Sequence, residues 1–348
     1  MQLKAGNTKK YGIPYQGSKT KIIPLIAKFF PNADNFYDLF GGGFSASHYM
    51  IENRKKSYKS FHYNEIRPGL PQLIQDAIAG KYSYDNFKPD WISRERFMAE
   101  KETNSYIKII WSFGNNGEDY IFGKDIEDGK RSMHMACVFD EFDDFFKETF
   151  EIDKWPNSLD IIGKRLYLKR LLAKKKQRVD FQQLERLQQL QQLEQLEQLE
   201  RLQKLEQLQQ LEQLQHLQQL ERLQQLEQLQ QLEQLEQLER LHFTNLDYKK
   251  VEIKPNSVIY CDIPYFGTAG YGDTFNHKEF FDWTDSQDNP VFISEYNIKD
   301  QRFHLLKEFT HRSTFASSGA KNIPVVERLY GNKIAYEIIK NAIGGKNG

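Results

Sequence analysis

The sequence predicts an α/β fold of the Rossmann-like kind, with an inserted subdomain and a long low-complexity insertion. A strand, a glycine-rich turn, a helix, a second strand and an acidic residue follow one another within residues 36–65. This order is typical of a nucleotide-binding βαβ unit. A further apolar strand over residues 257–261 leads into an acid, a proline and an aromatic residue. Between them, leucine occupies every third position of residues 184–241.

The composition is that of a folded protein without a disulfide framework. The chain has 348 residues with 48 basic and 48 acidic side chains, so its formal net charge is zero. A neutral total is compatible with nucleic-acid binding, because a local basic patch is sufficient to contact phosphates. The two cysteines, Cys137 and Cys261, lie in unrelated contexts and predict neither a disulfide nor a metal site. No apolar run is long enough to span a bilayer and the first residues lack a signal-peptide core, so we expect a cytoplasmic protein without a membrane partner.

The first predicted helix covers residues 18–30. Ser18 is the candidate N-cap, apolar residues from Ile22 to Phe30 supply one face, and Pro31 ends the helix. A short strand to Leu39 comes next.

The glycine turn, Gly41-Gly42-Gly43, connects this strand to a helix predicted over residues 44–51. The glycines allow either a positive φ or a close approach of the backbone to a ligand. Residues 60–64 form the next predicted strand, which Glu65 follows. An acid at this position of a βαβ unit binds ribose hydroxyls, so Glu65 is a candidate nucleoside-binding residue.

Residues 66–160 are predicted to be mixed and loop-rich, and residues 164–178 are strongly basic. The basic segment is interpreted either as a solvated helix face or as a helix lying along DNA phosphates. The candidate DNA-binding residues are Lys169, Arg170, Lys174 and Lys175.

The leucine tract, residues 181–242, is interpreted as an insertion of leucine, glutamine and glutamate triplets. Twenty leucines recur at a step of three, among residues that favour helix. That step carries the leucines around an α-helix, so no fixed coiled-coil seam results, and the 3₁₀-helix that would align them is usually short. We therefore place the tract outside the catalytic machinery. A helix that binds a partner, or another copy of the chain, is the alternative.

The end of the chain predicts two more strands and a hairpin. Residues 257–261 and 291–295 are apolar and strand-like. Residues 325–330 and 334–339 are predicted to form a closing hairpin across Gly331-Asn332.

In their order along the chain, these motifs resemble the DNA adenine methylase family of bacteria and phages. The family's Trp-x-Gly-x-Lys is matched by Tyr15-Gln16-Gly17-Ser18-Lys19, with tyrosine replacing tryptophan. Its acid followed by Phe-x-Gly-x-Gly is matched by Asp38-Leu39-Phe40-Gly41-Gly42-Gly43, with the glycines displaced by one. Asn64-Glu65 correspond to its Asn-Asp, and Asp262-Ile263-Pro264-Tyr265 to its Asp-Pro-Pro-Tyr.

The resemblance covers residues 11–65 and 245–339. It implies methyl transfer from S-adenosylmethionine to an adenine flipped out of double-stranded DNA, a reaction typical of restriction–modification, and a seven-stranded, mostly parallel sheet. The catalytic domain would comprise residues 1–65 and 243–348, with target recognition in residues 66–180. The cofactor-binding residues that it implies are Tyr15, Gly17, Lys19, Asp38, Phe40, Gly41, Gly43, Glu65, Asp247 and Asp262. For Asp247, a helix cap is the alternative.

The second motif has the residue types that methylation of an aromatic amine requires. The Asp262 carboxylate and the Ile263 carbonyl would accept hydrogen bonds from the amine, Pro264 would hold the turn, and Tyr265 would stack on the flipped base. Ile263 replaces the family's first proline, which removes a fixed φ but keeps the carbonyl. This departure motivates one alternative, a catalytically impaired homologue that binds DNA. The others are methylation of RNA or another amine, and an assembly protein that uses the leucine tract.

Overall fold

The computed structural model describes residues 9–83, 87–190, 228–229, 231–235, 238–266, 275–312 and 324–344. The chain divides into two compact units. Unit 1 comprises Met1–Gly80 and Gln228–Gly348, and unit 2 comprises Lys81–Glu227. Residues 66–80 and 228–242, predicted to lie in the recognition region and the insertion, therefore belong to unit 1.

Among the described residues of unit 1, seven strands form one sheet in the order β3-β2-β1-β4-β5-β7-β6. The first five strands of this order run parallel, and β7 runs antiparallel to both of its neighbours. The expectation of an α/β fold with a mostly parallel, seven-stranded sheet is confirmed. The strands are β1 (Asn35–Asp38), β2 (Ser60–Asn64), β3 (Leu241–Thr244), β4 (Ser257–Asp262), β5 (Val291–Glu295), β6 (His304–Arg312) and β7 (Pro324–Gly331).

The described helices divide between the two units. Helices α1 to α3, α9 and α10 belong to unit 1, and α4 to α8 belong to unit 2. In chain order they are α1 (Ile23–Ile26), α2 (Ser45–Asn53), α3 (Leu70–Ile78), α4 (Arg94–Glu100), α5 (Ser105–Ile110), α6 (Glu127–Phe139), α7 (Asp144–Phe150), α8 (Ile161–Leu190), α9 (His277–Asp285) and α10 (Lys333–Gly344).

The central strands of the sheet are buried on both faces. On one face Phe30 packs its ring 5.5 Å from that of Tyr260 and 4.9 Å from that of Phe292. On the other face Ile259 and Cys261 belong to a hydrophobic cluster with residues of β1, β5 and α9. Burial on both faces explains why β4 and β5 read as continuous apolar runs.

The first helix is much shorter than the predicted 18–30. Helix α1 spans only Ile23–Ile26 and continues as one 3₁₀ turn. Pro24 occupies the first turn of α1, where its missing N–H costs nothing. In a helix that began at Ser18, the proline ring would collide with a carbonyl of the preceding turn. Ser18 does not cap α1, whose N-cap is Ile22.

The predicted closing hairpin is wrong. Strand β7 pairs with β6 and β5, and the chain then forms helix α10. The Asn332 side chain accepts a hydrogen bond from the Ala335 N–H at 3.0 Å and therefore caps α10. Its amide oxygen also accepts from the Val291 N–H at 3.1 Å, which ties the start of the helix to β5. The isoleucines read as a strand instead follow helical spacing.

Unit 2 is more helical than the predicted loop-rich region. Its helices α4, α5 and α7 each begin at a side-chain cap, formed by Ser93, Asn104 and Asp143. Trp111 is fully buried and packs edge-on against Trp91. No described helix of the chain has both the length and the hydropathy needed to cross a membrane.

The end of the leucine tract is part of unit 1. Leu229 and Leu232 are fully buried, and Leu235 is nearly so. Two 3₁₀ turns, Leu232–Gln234 and Leu238–Arg240, lead into β3, which begins at the last leucine of the repeat. The predicted end of the insertion at residue 242 thus falls inside a strand. Residues 191–227, and any coiled coil or partner-binding helix there, lie outside the described residues.

Candidate active site

The two sequence motifs meet at one edge of the sheet. Strand β1 lies between β2 and β4, and the three strands run parallel. Their carboxyl ends are Asp38, Asn64 and Asp262. Ligand sites of parallel α/β sheets lie at this edge, so the topology brings together residues that are far apart in the chain.

A cluster of charged and aromatic side chains surrounds Asp262. The Lys19 ammonium lies 3.1 Å from Asp262 Oδ1 and 3.6 Å from Glu327 Oε2. The Tyr265 hydroxyl donates a hydrogen bond to Glu327 Oε2 at 3.2 Å. The Lys19 ammonium also lies 4.7 Å from the centroid of the Tyr265 ring. One ammonium is therefore shared by two carboxylates beside an aromatic ring.

Burial and neighbouring charges set the ionisation of this cluster. Burial raises the pKa of Asp262 to about 6, with a smaller increase from Glu327, while Lys19 and a hydrogen bond from Tyr265 lower it. Burial alone would lower the pKa of Lys19, but the charges of Asp262 and Glu327 raise it above its ordinary value. At neutral pH Asp262 is an anion and Lys19 a cation.

The loop after β4 is held from two directions. The Ile263 side chain is 2% exposed and belongs to the hydrophobic cluster beneath the sheet. The His277 Nε2 donates to the Pro264 carbonyl at 2.9 Å, and the Phe266 N–H donates to Glu295 Oε1 at 2.6 Å. The Ile263 side chain thus packs in the core, and hydrogen bonds further along hold the loop.

The glycine turn after β1 is packed against two tyrosines. A Cβ at Gly41 would lie 2.1 Å from the Tyr63 ring, and a Cβ at Gly43 would lie 2.4 Å from Tyr15 Cβ. The positive φ, +46°, occurs at Gly42 and not at either of the two glycines that the motif selects. Gly41 and Gly43 are therefore required for close side-chain packing.

Glu65 ties the glycine turn to the loop after β2. Its two carboxylate oxygens accept hydrogen bonds from the backbone N–H groups of Gly42 and Arg67, each at 2.9 Å. The Arg67 guanidinium donates to the Tyr15 hydroxyl. Tyr15, Gly42 and Glu65, which come from three separate sequence segments, form one connected group.

Asp38 is a buried acid at the end of β1. Its Oδ2 accepts hydrogen bonds from the Ser47 N–H at 3.1 Å and the Ser47 hydroxyl at 2.7 Å, in the first turn of α2. Burial raises the pKa of Asp38 to about 7, and the nearby charge of Asp262 adds to this. Its Oδ1 is buried and has no hydrogen-bond partner among the residues that the structure describes.

Three other predicted cofactor residues have structural partners. Asp247 Oδ1 accepts from the Lys249 N–H at 2.9 Å and caps a 3₁₀ turn, which is the alternative offered for it. The centroid of the Phe40 ring lies 5.4 Å from that of the Tyr248 ring. Gly17 has φ +82°, and its carbonyl accepts from the Lys19 ammonium at 3.5 Å. Cofactor contacts by these residues stay predictions.

The four candidate DNA-binding residues of α8 differ in their surroundings. The Lys175 ammonium donates to the Thr149 carbonyl at 2.6 Å and to Glu151 Oε1 at 2.9 Å, so it fastens α8 to α7 within unit 2. The other three candidates for DNA contact, Lys169, Arg170 and Lys174, are exposed.

Sequence reasoning missed Glu327 and the role of the Asn64 side chain. Asn64 Nδ2 donates to the carbonyls of Leu39 and Leu246 at 3.0 and 2.9 Å, which joins the ends of β1 and β3. Glu327 and Arg328 are adjacent charged residues of β7, and no local pattern distinguished Glu327 as a site residue. Within the described part of the chain, no group of three His, Cys, Asp or Glu residues is placed to bind a metal.

A search of protein-family models and of curated proteins finds no match to this chain.

Proposed function

We propose that this protein is an S-adenosylmethionine-dependent, adenine-specific DNA methyltransferase. The observation that carries the proposal is the meeting of the two motifs at one sheet edge. Asp262 and Lys19 form an ion pair there beside Tyr265, and the glycine turn with Glu65 follows the neighbouring strands. The seven-stranded sheet agrees with the methyltransferase fold that the resemblance implies. Residues 66–180, most of which belong to unit 2, are proposed to recognise the target.

The residues beside the glycine turn suit the proposed cofactor. Glu65 is a buried acid at the end of β2, where ribose hydroxyls bind in such folds. One buried carboxylate oxygen of Asp38, Oδ1, has no hydrogen-bond donor among the described residues. A donor group of the bound cofactor would supply that hydrogen bond. Lys19 and Tyr15 complete the proposed cofactor-binding set. S-adenosylmethionine, when bound, supplies an electrophilic methyl group.

The loop after β4 is proposed to activate the target amine. The lone pair of an adenine amine is delocalised into the ring, so the amine is a weak nucleophile. Hydrogen bonds from its two hydrogens to the Asp262 carboxylate and the Ile263 carbonyl favour a more nucleophilic, tetrahedral nitrogen. Asp262, with a pKa of about 6, can take the proton that the amine loses on methylation. Tyr265 stacks on the flipped base.

The decisive experiment measures transfer of a labelled methyl group to amplified DNA of mixed sequence, which carries no methylation beforehand. Mass analysis of the digested nucleosides identifies the product. We expect methyladenine from the wild type, and a loss of about a hundredfold or more for Asp262→Ala. Asp282→Ala is the matched control, because this aspartate lies on the surface of α9 and is 46% exposed. RNA and unrelated amines, tested in parallel, separate the alternative substrates.

Ile263 favours a second candidate, a methylase homologue that binds DNA without catalysis. A wild type that binds both cofactor and DNA yet gives no methylated product would establish this second function. A wild type that binds neither would overturn both candidates.

A further inference from the structure

Glu327 is a buried acid of β7 that contacts the cluster around Asp262. Its side chain is 10% exposed, and its Oε2 lies 3.6 Å from the Lys19 ammonium and 3.2 Å from the Tyr265 hydroxyl. The next residue, Arg328, instead pairs with the exposed Glu308 of β6 at 2.6 Å. Successive residues of a strand point to opposite faces, so β7 directs Glu327 to the site and Arg328 away from it.

The charge balance of the cluster depends on Glu327. With Asp262 as its only partner, the Lys19 ammonium would neutralise that carboxylate at close range and make it a weaker acceptor. Two carboxylates and one ammonium leave a net negative charge instead. The charge of Glu327 accordingly raises the pKa of Asp262.

The orientation of the Tyr265 ring also depends on Glu327. Its hydroxyl is held by the hydrogen bond to Glu327, and its ring packs edge-on against Tyr296, with the centroids 4.4 Å apart. A ring fixed at its hydroxyl end and at its side offers a defined surface to a flat ligand.

We propose that Glu327 is a positioning residue for methyl transfer. It shares Lys19 with Asp262 and fixes the Tyr265 ring, so that Asp262 remains an effective acceptor for the target amine and the ring remains oriented for the base. The inference rests on the proposed function.

The test compares Glu327→Gln with the wild type in steady-state methylation over a range of pH. The glutamine side chain has the size of glutamate and keeps one hydrogen-bond acceptor, but it carries no negative charge. We expect kcat to fall about tenfold, because Asp262 then pairs with Lys19 alone. We also expect the acid limb of the pH profile to move to lower pH, because the charge that raises the pKa of Asp262 is gone. Among the described residues, the titratable groups that interact electrostatically with Asp262 are Lys19, Asp38, Tyr260, Cys261, Tyr265, Tyr296 and Glu327.

Two further variants separate positioning from folding. Tyr265→Phe removes the hydrogen bond between Tyr265 and Glu327 without altering β7. The double variant should lose less than the sum of the two single effects, since a neutral glutamine already holds the Tyr265 hydroxyl more weakly than the carboxylate does. Glu308→Gln removes a charge from the surface pair on the neighbouring strand and should change neither kcat nor the pH profile.

The outcomes for the two proposals differ. A methylating wild type together with a Glu327→Gln variant of unchanged kcat and unchanged pH profile would overturn the role of Glu327 and leave the proposed function intact. A reduced kcat with an unmoved acid limb, and with additive effects in the double variant, would also overturn it. A wild type that binds cofactor but makes no methyladenine would overturn the proposed function and this inference with it.

Discussion

Asp38 is a single residue whose ionisation should govern the pH dependence of folding. Burial raises its pKa from an ordinary value near 4 to about 7. The folded state therefore favours the protonated acid, and the stability that Asp38 contributes is present below pH 4 and is lost as the pH rises through 7.

Asp38→Asn removes this dependence, because the amide stays neutral while its oxygen still accepts from Ser47. We expect the free energy of unfolding of the wild type to fall, relative to the variant, by about 4 kcal/mol between pH 4 and pH 8. Urea unfolding at several pH values measures the difference. If the free energy of unfolding changes equally with pH in the wild type and the variant, Asp38 does not titrate between pH 4 and pH 8.

The Asp262 cluster shows how far residue types alone predicted the site. An acid, a constrained turn and a tyrosine after an apolar strand predicted a candidate catalytic loop, and the structure places Lys19 against Asp262. The contribution of Glu327 was not predictable, because nothing local in β7 indicates which strand lies beside it. Burial and partners, which set the pKa of Asp262, likewise depend on residues distant in the chain.

At the scale of elements, the last triplets of the leucine tract act as part of the core of unit 1. In a 3₁₀ turn, residues three apart lie on the same side, and accordingly Leu232 and Leu235, at the start and the end of the first turn, are both buried. Leu229 and Leu232 are fully buried, whereas Leu238 is 40% exposed.

Leu232→Ala and Leu238→Ala form a matched pair within one repeat. We expect Leu232→Ala to lower the free energy of unfolding by about 2–5 kcal/mol, because it leaves a cavity in the core. Leu238→Ala should change it by less than about 0.5 kcal/mol, since the side chain is already in contact with water. Denaturant unfolding measures both, and equal effects would contradict the burial seen at the end of the tract.

The elements that the sequence misplaced share a cause. Apolar periodicity alone extended the first helix over Pro24, and it read the isoleucines of α10 as a strand. In each case one residue decides the local structure. Pro24 is compatible only with the first turn of a helix, so α1 begins just before it. Asn332 caps the N-terminus of α10, so a helix begins after it. The strands that border the site were predicted closely, because buried strands of a parallel sheet are continuous apolar runs bounded by turns.

At the scale of the whole molecule, the tract crosses the boundary in the chain between unit 2 and the second segment of unit 1, which begins at Gln228. Removing all of residues 184–241 would also remove the buried Leu229, Leu232 and Leu235 and the first residue of β3. A deletion that spares the fold of unit 1 is therefore expected to end before residue 228.

Replacing residues 191–227 with a glycine–serine linker of equal length tests this limit. We expect the variant to keep its melting temperature and methyl transfer, because unit 1 retains every strand of its sheet. Extending the replacement to residue 241 should abolish cooperative folding of unit 1. Loss of activity in the shorter replacement, with the fold retained, would favour the assembly function of the tract.

The sequence by itself determined the fold class, the strands on either side of the site and the two motifs, because these depend on local burial patterns and residue chemistry. Only the tertiary structure decided which residues meet. The pairing of β1 with β4, and the hydrogen bond from the Lys19 N–H to the Ser45 hydroxyl at the start of α2, bring Lys19 to Asp262. The antiparallel β7 adds Glu327. Strand order is a long-range property that a local pattern does not encode. The charges, pKa values and packing that depend on it were therefore available only from the folded chain.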